Sequence, residues 1–206
     1  MPGRRTSEDL KEVIRDFRRD QVIDVARRLF GERGTTDVSM DEIASEAGVA
    51  RSTVYVYFAN RDELLRACLQ RMHEQLAEGI AQTWMHEAEP ALRLERLIEE
   101  LLARVDDNPT FFRLTLVTQG TPARGAEAVG SELALISLSI ARLIQDLVAE
   151  GIERGQFRPM DLDQATTLIG QQIYGAMAVR AEDPAPIPRG QAAAEVAQFL
   201  LHGLTA

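Results

Sequence analysis

The residues with chemistry to offer are concentrated between Ser39 and Arg61, in the run SMDEIASEAGVARSTVYVYFANR. Arg51, Ser52, Thr53, Tyr55 and Tyr57 crowd one short stretch of it, and each carries a hydrogen-bond donor. An arginine forks onto a guanine edge, a threonine meets a thymine methyl or a phosphate, and tyrosine hydroxyls donate to phosphate oxygens. Arg61 follows at the expected start of another helix, where a cation beside free backbone N–H groups suits a phosphate. Upstream, Thr36 and Ser39 lie on the chain approaching the first helix, where hydroxyls reach phosphates. The chemistry implied is recognition of a polyanion with readable edges.

Two short helices and a tight joint must position this set. Ser39 is an N-cap candidate with Glu42 at the capping-box position. Ile43 and Ala47 give the first helix an apolar face, and Gly48 stands where a helix end needs positive φ. The second helix runs from about Ala50 to Phe58, with Val54 and Phe58 on its apolar side. Asn60 then caps a third, with Glu63 in the box position. Helix, glycine turn, helix is the pattern of a helix-turn-helix, whose second helix enters the major groove. By itself it also fits a helical hairpin inside a bundle.

The run GVARSTVYVYFANRDELL, Gly48 to Leu65, resembles the signature of the tetracycline-repressor (TetR) family of bacterial regulators. Ala26, Leu29, Phe30 and Gly34 upstream, and the SMDEIA that follows, share the resemblance. It covers roughly Gln21 to Leu65. Ala50 departs from it, standing where the family often has a capping Ser, and so does Val56, which replaces a frequent aromatic. The resemblance implies an all-α fold: an N-terminal three-helix DNA-binding unit, then a C-terminal bundle for ligand binding and dimerisation. It implies a sequence-specific transcriptional regulator, a repressor released from a palindromic operator by a small effector.

The totals bound this reading. A chain of 206 residues with 45% hydrophobic and 27% charged residues has the composition of a globular protein. One cysteine, Cys68, excludes an internal disulfide and fits a reducing cytoplasm. The first residues lack the apolar core of a signal peptide, and no apolar run approaches a membrane span. The net charge of −9 argues against nucleic acid at first sight, yet residues 1–61 hold 11 basic and 11 acidic side chains. The acidity lies in the remainder, where it would keep DNA off the wrong face. No nucleophile elbow, phosphate loop or metal-ligand spacing is present, so neither an enzyme nor a cofactor or metal is expected.

Along the chain, residues 1–17 read as an arm, either a frayed tail or a segment reaching adjacent DNA. Val22, Val25, Ala26, Leu29 and Phe30 make an amphipathic helix over 18–33 that completes a DNA-binding domain over 18–65. Residues 66–206 form the effector-binding and dimerisation domain. A long helix from Arg61 to about His86 leads out of the first domain into it, and further helices start near Pro90, Asn108-Pro109, Ser131, Asp161 and Arg189. Gly120 to Gly130 reads as a loop and Glu182 to Pro188 as a proline-rich linker.

The last two helices carry apolar and small faces suited to a homodimer contact. Trp84, Phe111, Phe112, Leu116, Gln171, Tyr174 and Met177 are candidates to line an effector pocket, since aromatics with a few polar groups suit a small molecule. Few charges stand near them, Arg104 and Arg113 excepted, which points to an apolar or weakly polar effector. The alternative is a helical adaptor that binds protein and no specific DNA.

Overall fold

The computed structural model describes residues 7–34, 37–84, 89–109, 111–113 and 126–205. The described residues form eight long or short helices: α1 (Ser7–Arg33), α2 (Met40–Glu46), α3 (Arg51–Tyr57), α4 (Arg61–Trp84), α5 (Pro90–Asp107), α6 (Ala126–Glu153), α7 (Leu162–Glu182) and α8 (Arg189–Leu204). A further helical turn follows α5 at Pro109 and Phe111–Arg113. Among the described residues there is no strand, and no helix is long and apolar enough to cross a membrane.

Local signals set most of the boundaries. Ser39 caps α2 in a complete capping box with Glu42. At the other end Gly48 takes φ +63°, the Val49 N–H donates to Ala44 O at 3.0 Å and the Gly48 N–H to Ser45 O at 3.2 Å. This paired closure needs a left-handed residue at that one position, which glycine adopts without a Cβ clash. Ala50 precedes α3 with no side-chain cap, the gap its sequence predicts. Asp161 caps α7 by accepting the Gln164 N–H at 2.8 Å.

Two boundaries differ from the sequence expectation. α1 begins at Ser7, so the segment read as an arm is helix from there onward. Its first turns carry Leu10, Val13, Ile14 and Phe17 on one exposed side, with Phe17 70% exposed. Burial begins only near Val22, which is why the apolar pattern alone places the start late. The expected loop over Gly120 to Gly130 is cut short, because α6 starts at Ala126. Ala126, Glu127 and Ala128 are good helix formers, and Gly130 interrupts them at a cost of only about 1 kcal/mol.

Packing joins the two ends of the chain. α1 lies against α2, α3 and α4, and α4 passes on to pack against α5 and α6. α5 is the centre of the bundle, touching α4, α6, α7 and α8. A single buried cluster runs through Phe30, Ile43, Phe58, Leu64, Leu69, Leu94 and Ile173, so one continuous core spans the N-terminal helices α1 to α3 and the bundle. Asn108 helps close it: its amide donates to Arg27 O at 3.0 Å and its Oδ1 accepts the Phe111 N–H at 2.9 Å.

Asp106, near the end of α5, pins the α7–α8 linker. Arg180 donates Nη2 to Asp106 Oδ2 at 2.9 Å and Nη1 to Ile187 O at 2.9 Å.

At the end of α6, Gly151 is buried beneath the Phe157 ring, and a Cβ at that position would overlap the ring. Phe157 is 4% exposed, so the ring has little room to withdraw. Gly151→Ala is expected to lower the unfolding free energy by about 2–3 kcal/mol, the scale of an overpacked core. Chemical denaturation reads this directly, and a loss below about 0.5 kcal/mol would show that the ring moves aside.

Cys68 is fully buried, its Sγ 3.7 Å from Ile23 O, and burial pushes its thiol up to about 12. A thiol held protonated is a poor nucleophile. Alkylation by iodoacetamide at neutral pH is therefore expected to follow global unfolding, and labelling at the rate of a free thiol would contradict the burial.

Candidate nucleic-acid interface and effector cavity

Helix α3 is divided sharply by burial. Val54 is 0% and Phe58 2% exposed, and both point into the core beside α1. The guanidinium of Arg19 lies 5.5 Å over the Phe58 ring, and Tyr57 meets that ring edge-on at 6.4 Å. The opposite side therefore faces outward. Arg51, Ser52 and Tyr55 are exposed on it, while Thr53 and Tyr57 are half-buried at its margins. These are the residues expected from the sequence to touch DNA, and the fold presents them along one accessible helix.

Arg51 is held ready. Its Nε lies 2.8 Å from Asp41 Oδ1, and its guanidinium sits 5.6 Å from the Tyr55 ring. The Tyr55 side chain first, and the Asp41 carboxylate second, hold the Arg51 guanidinium more firmly in its charged form. Arg61 is half-buried in the first turn of α4. Asn60 accepts the Glu63 N–H at 2.9 Å, but the return bond differs from the expected box: Glu63 Oε2 accepts from Ala59, at 2.7 Å.

Ser39 is exposed, and its hydroxyl is already engaged, donating to Glu42 Oε2 at 2.8 Å while accepting the Glu42 N–H at 3.2 Å. Thr36 lies outside the described residues. Val56 does not belong to the set expected from residue type, yet it is 77% exposed on the outward side, opposite Val54. Its register, two residues from Val54 and four from Ser52, is the signal in the sequence that points to it.

The Ser39–Glu42 box also sets a pH response. The Ser39 backbone N–H first, its hydroxyl second, and Arg33 after them hold the Glu42 carboxyl below the usual carboxylate range. A depressed folded-state value contributes stability above the unfolded value, and that contribution is lost as pH falls through the folded one. Thermal melts between pH 7 and pH 3 are expected to fall less steeply for Glu42→Gln than for the parent chain. Parallel curves would show that the ionised box adds nothing.

The candidate effector residues divide. Gln171, Tyr174 and Met177 come together on a cavity of about 370 Å³ between α5, α6 and α7, where Ile140, Ile144 and Ile173 supply aliphatic wall. Phe111 and Phe112 do not line it. Phe111 is drawn into the main core by the Asn108 cap, and Phe112 packs against Val105 and Ala181. Leu116 and the side chain of Trp84 lie outside the described residues. The two charges expected nearby are occupied elsewhere: Arg104 pairs with Glu100 and Asp107 on its own helix, and Arg113 donates to Ala181 O at 2.7 Å. A second groove, between α7 and α8, is lined by Gly175, Ala176, Val179, Val196 and Phe199, with Val179 70% and Phe199 68% exposed.

Comparison with known proteins agrees with this geometry. Residues 22–68 match the family model described as bacterial regulatory proteins, tetR family. An uncharacterised HTH-type transcriptional regulator of Mycobacterium tuberculosis is 35% identical over 124 residues, a stretch spanning 60% of this chain and 60% of that protein's length. Among solved structures, the regulator FadR of Bacillus subtilis in complex with stearoyl-CoA superposes with a TM-score of 0.76 at 19% identity, covering 89% of this chain and 98% of that one. A regulator from Saccharomonospora viridis in complex with choline gives 0.73 at 20% identity, covering 91% and 97%. These two show a shared fold. Residues 22–68, which include the two short helices and their joint, thus match the tetR family, and the all-α bundle that follows shares its fold with these two solved regulators.

Proposed function

We propose that the chain is a DNA-binding transcriptional regulator, a cytoplasmic repressor that acts as a homodimer and leaves a palindromic operator when a small molecule binds. The observation that carries this is the division of α3: Val54 and Phe58 are buried while Arg51, Ser52, Tyr55 and Val56 face outward from the same short helix. Arg51 reads a guanine edge, Thr53 and Val56 meet thymine methyls, and Ser52, Tyr55, Tyr57, Arg61, Thr36 and Ser39 hold phosphates. Ser39 keeps its cap bond from Glu42 while doing so.

The apolar groove between α7 and α8, which Ile187 also lines, fits the same groove of a second copy. Such a pairing places two reading helices for half-sites about 34 Å apart. The cavity beside α6 and α7 supplies the effector site. α4, with its 24 residues, is about 36 Å long and touches both α1 and the cavity-bearing helices. A ligand that favours one packing of α5 to α7 shifts the spacing of the reading heads by its differential affinity for the two states. The neighbours bound to stearoyl-CoA and choline show that this fold accommodates dissimilar ligands.

Selection of the purified protein on a random duplex library at two salt concentrations tests the reading. The expected result is an inverted repeat whose affinity falls steeply with salt. No enrichment and no binding at low salt would favour a helical adaptor instead.

A further inference from the structure

We infer that the exposed apolar stripe near the start of α1 binds the same stripe of a second copy of this chain, the two helices lying side by side and parallel. This contact is separate from the α7–α8 groove, and it does not depend on the reading of α3.

The first observation is that α1 exchanges its sides along its length. Leu10, Ile14, Phe17, Gln21, Asp24 and Arg28 fall alternately four and three apart, so they form one stripe, and all of them are exposed. From Gln21 onward that stripe is polar, as the solvent side of an amphipathic helix should be. Before Gln21 it is apolar, with exposed Val13 beside it. The opposite stripe inverts as well. Phe30, Ala26 and Ile23 are buried, and its continuation toward the start of the helix is Arg19, Arg15 and Glu12. A helix laid only against its own core would keep its apolar side on that core throughout. The first turns of α1 point theirs the other way.

The second observation is charge, and it selects the occupant. Lys11 and Arg18 border one edge of the stripe, and Asp16 and Asp20 border the other. In a parallel pair about a twofold axis along the helices, the basic edge of one copy meets the acidic edge of the other. An antiparallel pair would set each edge against its like. Because the stripe faces away from the core, parallel pairing leaves the two bodies on opposite sides of the pair. A lipid surface fits less well: residues 7–20 hold four basic and five acidic side chains, whereas a helix lying on an anionic bilayer carries a face rich in Lys and Arg. DNA is met by cations, and Arg15 and Arg19 share a surface hollow with Val56 and Tyr57, on the side of α3. The stripe stays free of that side. Four side chains a copy bury far less than the roughly 1,200–2,000 Å² of a stable interface, so the pair is weak between free copies. It strengthens where copies are held side by side, and with a second twofold contact it builds a row of copies. On the proposed function, neighbouring copies on one duplex would then bind cooperatively.

Site-directed cross-linking tests the pairing on the full chain without DNA. Cys68 is the chain's single cysteine and is buried with its thiol held protonated, so a cysteine placed on the surface is the reactive one. Leu10→Cys, Phe17→Cys and, as a control on exposed α5, Leu92→Cys are oxidised with copper phenanthroline, and covalent dimer is followed by gel electrophoresis. A parallel pair sets each position beside its own counterpart. Leu10→Cys and Phe17→Cys are therefore expected to cross-link at least about tenfold faster than the control. Ile14→Glu added to Leu10→Cys places two carboxylates in the contact and should slow cross-linking by about tenfold or more. Its melting midpoint should match the parent's, because Ile14 is exposed. Cross-linking no faster than the control, or unchanged by Ile14→Glu, overturns the inference. So does a mixture of the Leu10→Cys and Phe17→Cys chains that joins unlike positions in preference to like ones, which is the antiparallel result. Sedimentation of the parent chain with phosphatidylcholine–phosphatidylglycerol vesicles, lost on Ile14→Glu, would assign the stripe to a membrane surface and overturn it too.

Discussion

Phe58→Ala is expected to lower the stability of the reading unit by about 3–5 kcal/mol, the range for deleting a buried aromatic ring. Phe58 ends α3 in an extended conformation, its N–H donating to Val54 O at 2.9 Å. Its ring fills the space between α3 and α1, under the Arg19 guanidinium. Removing it empties that space and frees a helix of seven residues that has no side-chain cap at its start. Such a helix is held by tertiary packing alone, because isolated helices this short do not persist in water. The outward residues would then lose their common direction although none of them is altered. Operator affinity is expected to fall by two orders of magnitude or more, because only the small fraction with α3 docked remains competent. Paired thermal melts and operator titrations read both effects. A variant within about 1 kcal/mol of the parent would show that α3 is held by something other than this ring.

The second large effect separates reading from holding. Arg51→Ala is expected to cost about 1–3 kcal/mol on the preferred operator and to relax the choice of base at one position in each half-site. Arg51 is exposed and aimed by Asp41 and Tyr55, so its loss removes a directed fork without disturbing the core. Arg61→Ala is expected to weaken binding to all duplexes alike and to flatten the salt slope by about one for each phosphate that Arg61 neutralises. Arg61 stands in the first turn of α4, off the face that α3 presents. Repeating the library selection with each variant distinguishes the two roles. Equal losses on every sequence from both changes would overturn this division.

What the sequence by itself determined is what short-range physics decides. Ser39 with Glu42, Gly48 after Ala47, the pair Val54 and Phe58, and Asp161 with Gln164 each act within a few residues. The elements they predict are present, with Ser39 and Asp161 forming the expected cap bonds. The reading helix and its outward residues are legible for that reason, since a periodicity of apolar residues fixes both the helix and its buried side. Even there Val56 escapes a reading by residue type, because only its register on the helix marks it as outward. The start of α1 is illegible for a related reason: from Leu10 to Arg18 the helix is exposed, and an exposed helix leaves no burial pattern to find.

Tertiary structure alone decided which side chains meet across the chain. Phe111 and Phe112 have the chemistry of a ligand wall, but the Asn108 cap and the packing of α5 turn them into core. Asp106 and Arg180, far apart in sequence, become the clamp on the α7–α8 linker. Thr166 and Thr167 are identical as residues, and only the fold leaves one hydroxyl bonded within its own helix and the other buried without a partner. A residue's own helix sets the direction of its side chain, whereas its neighbours depend on how separate helices cross. Those crossings are settled by the summed packing of the whole core, which no local stretch encodes.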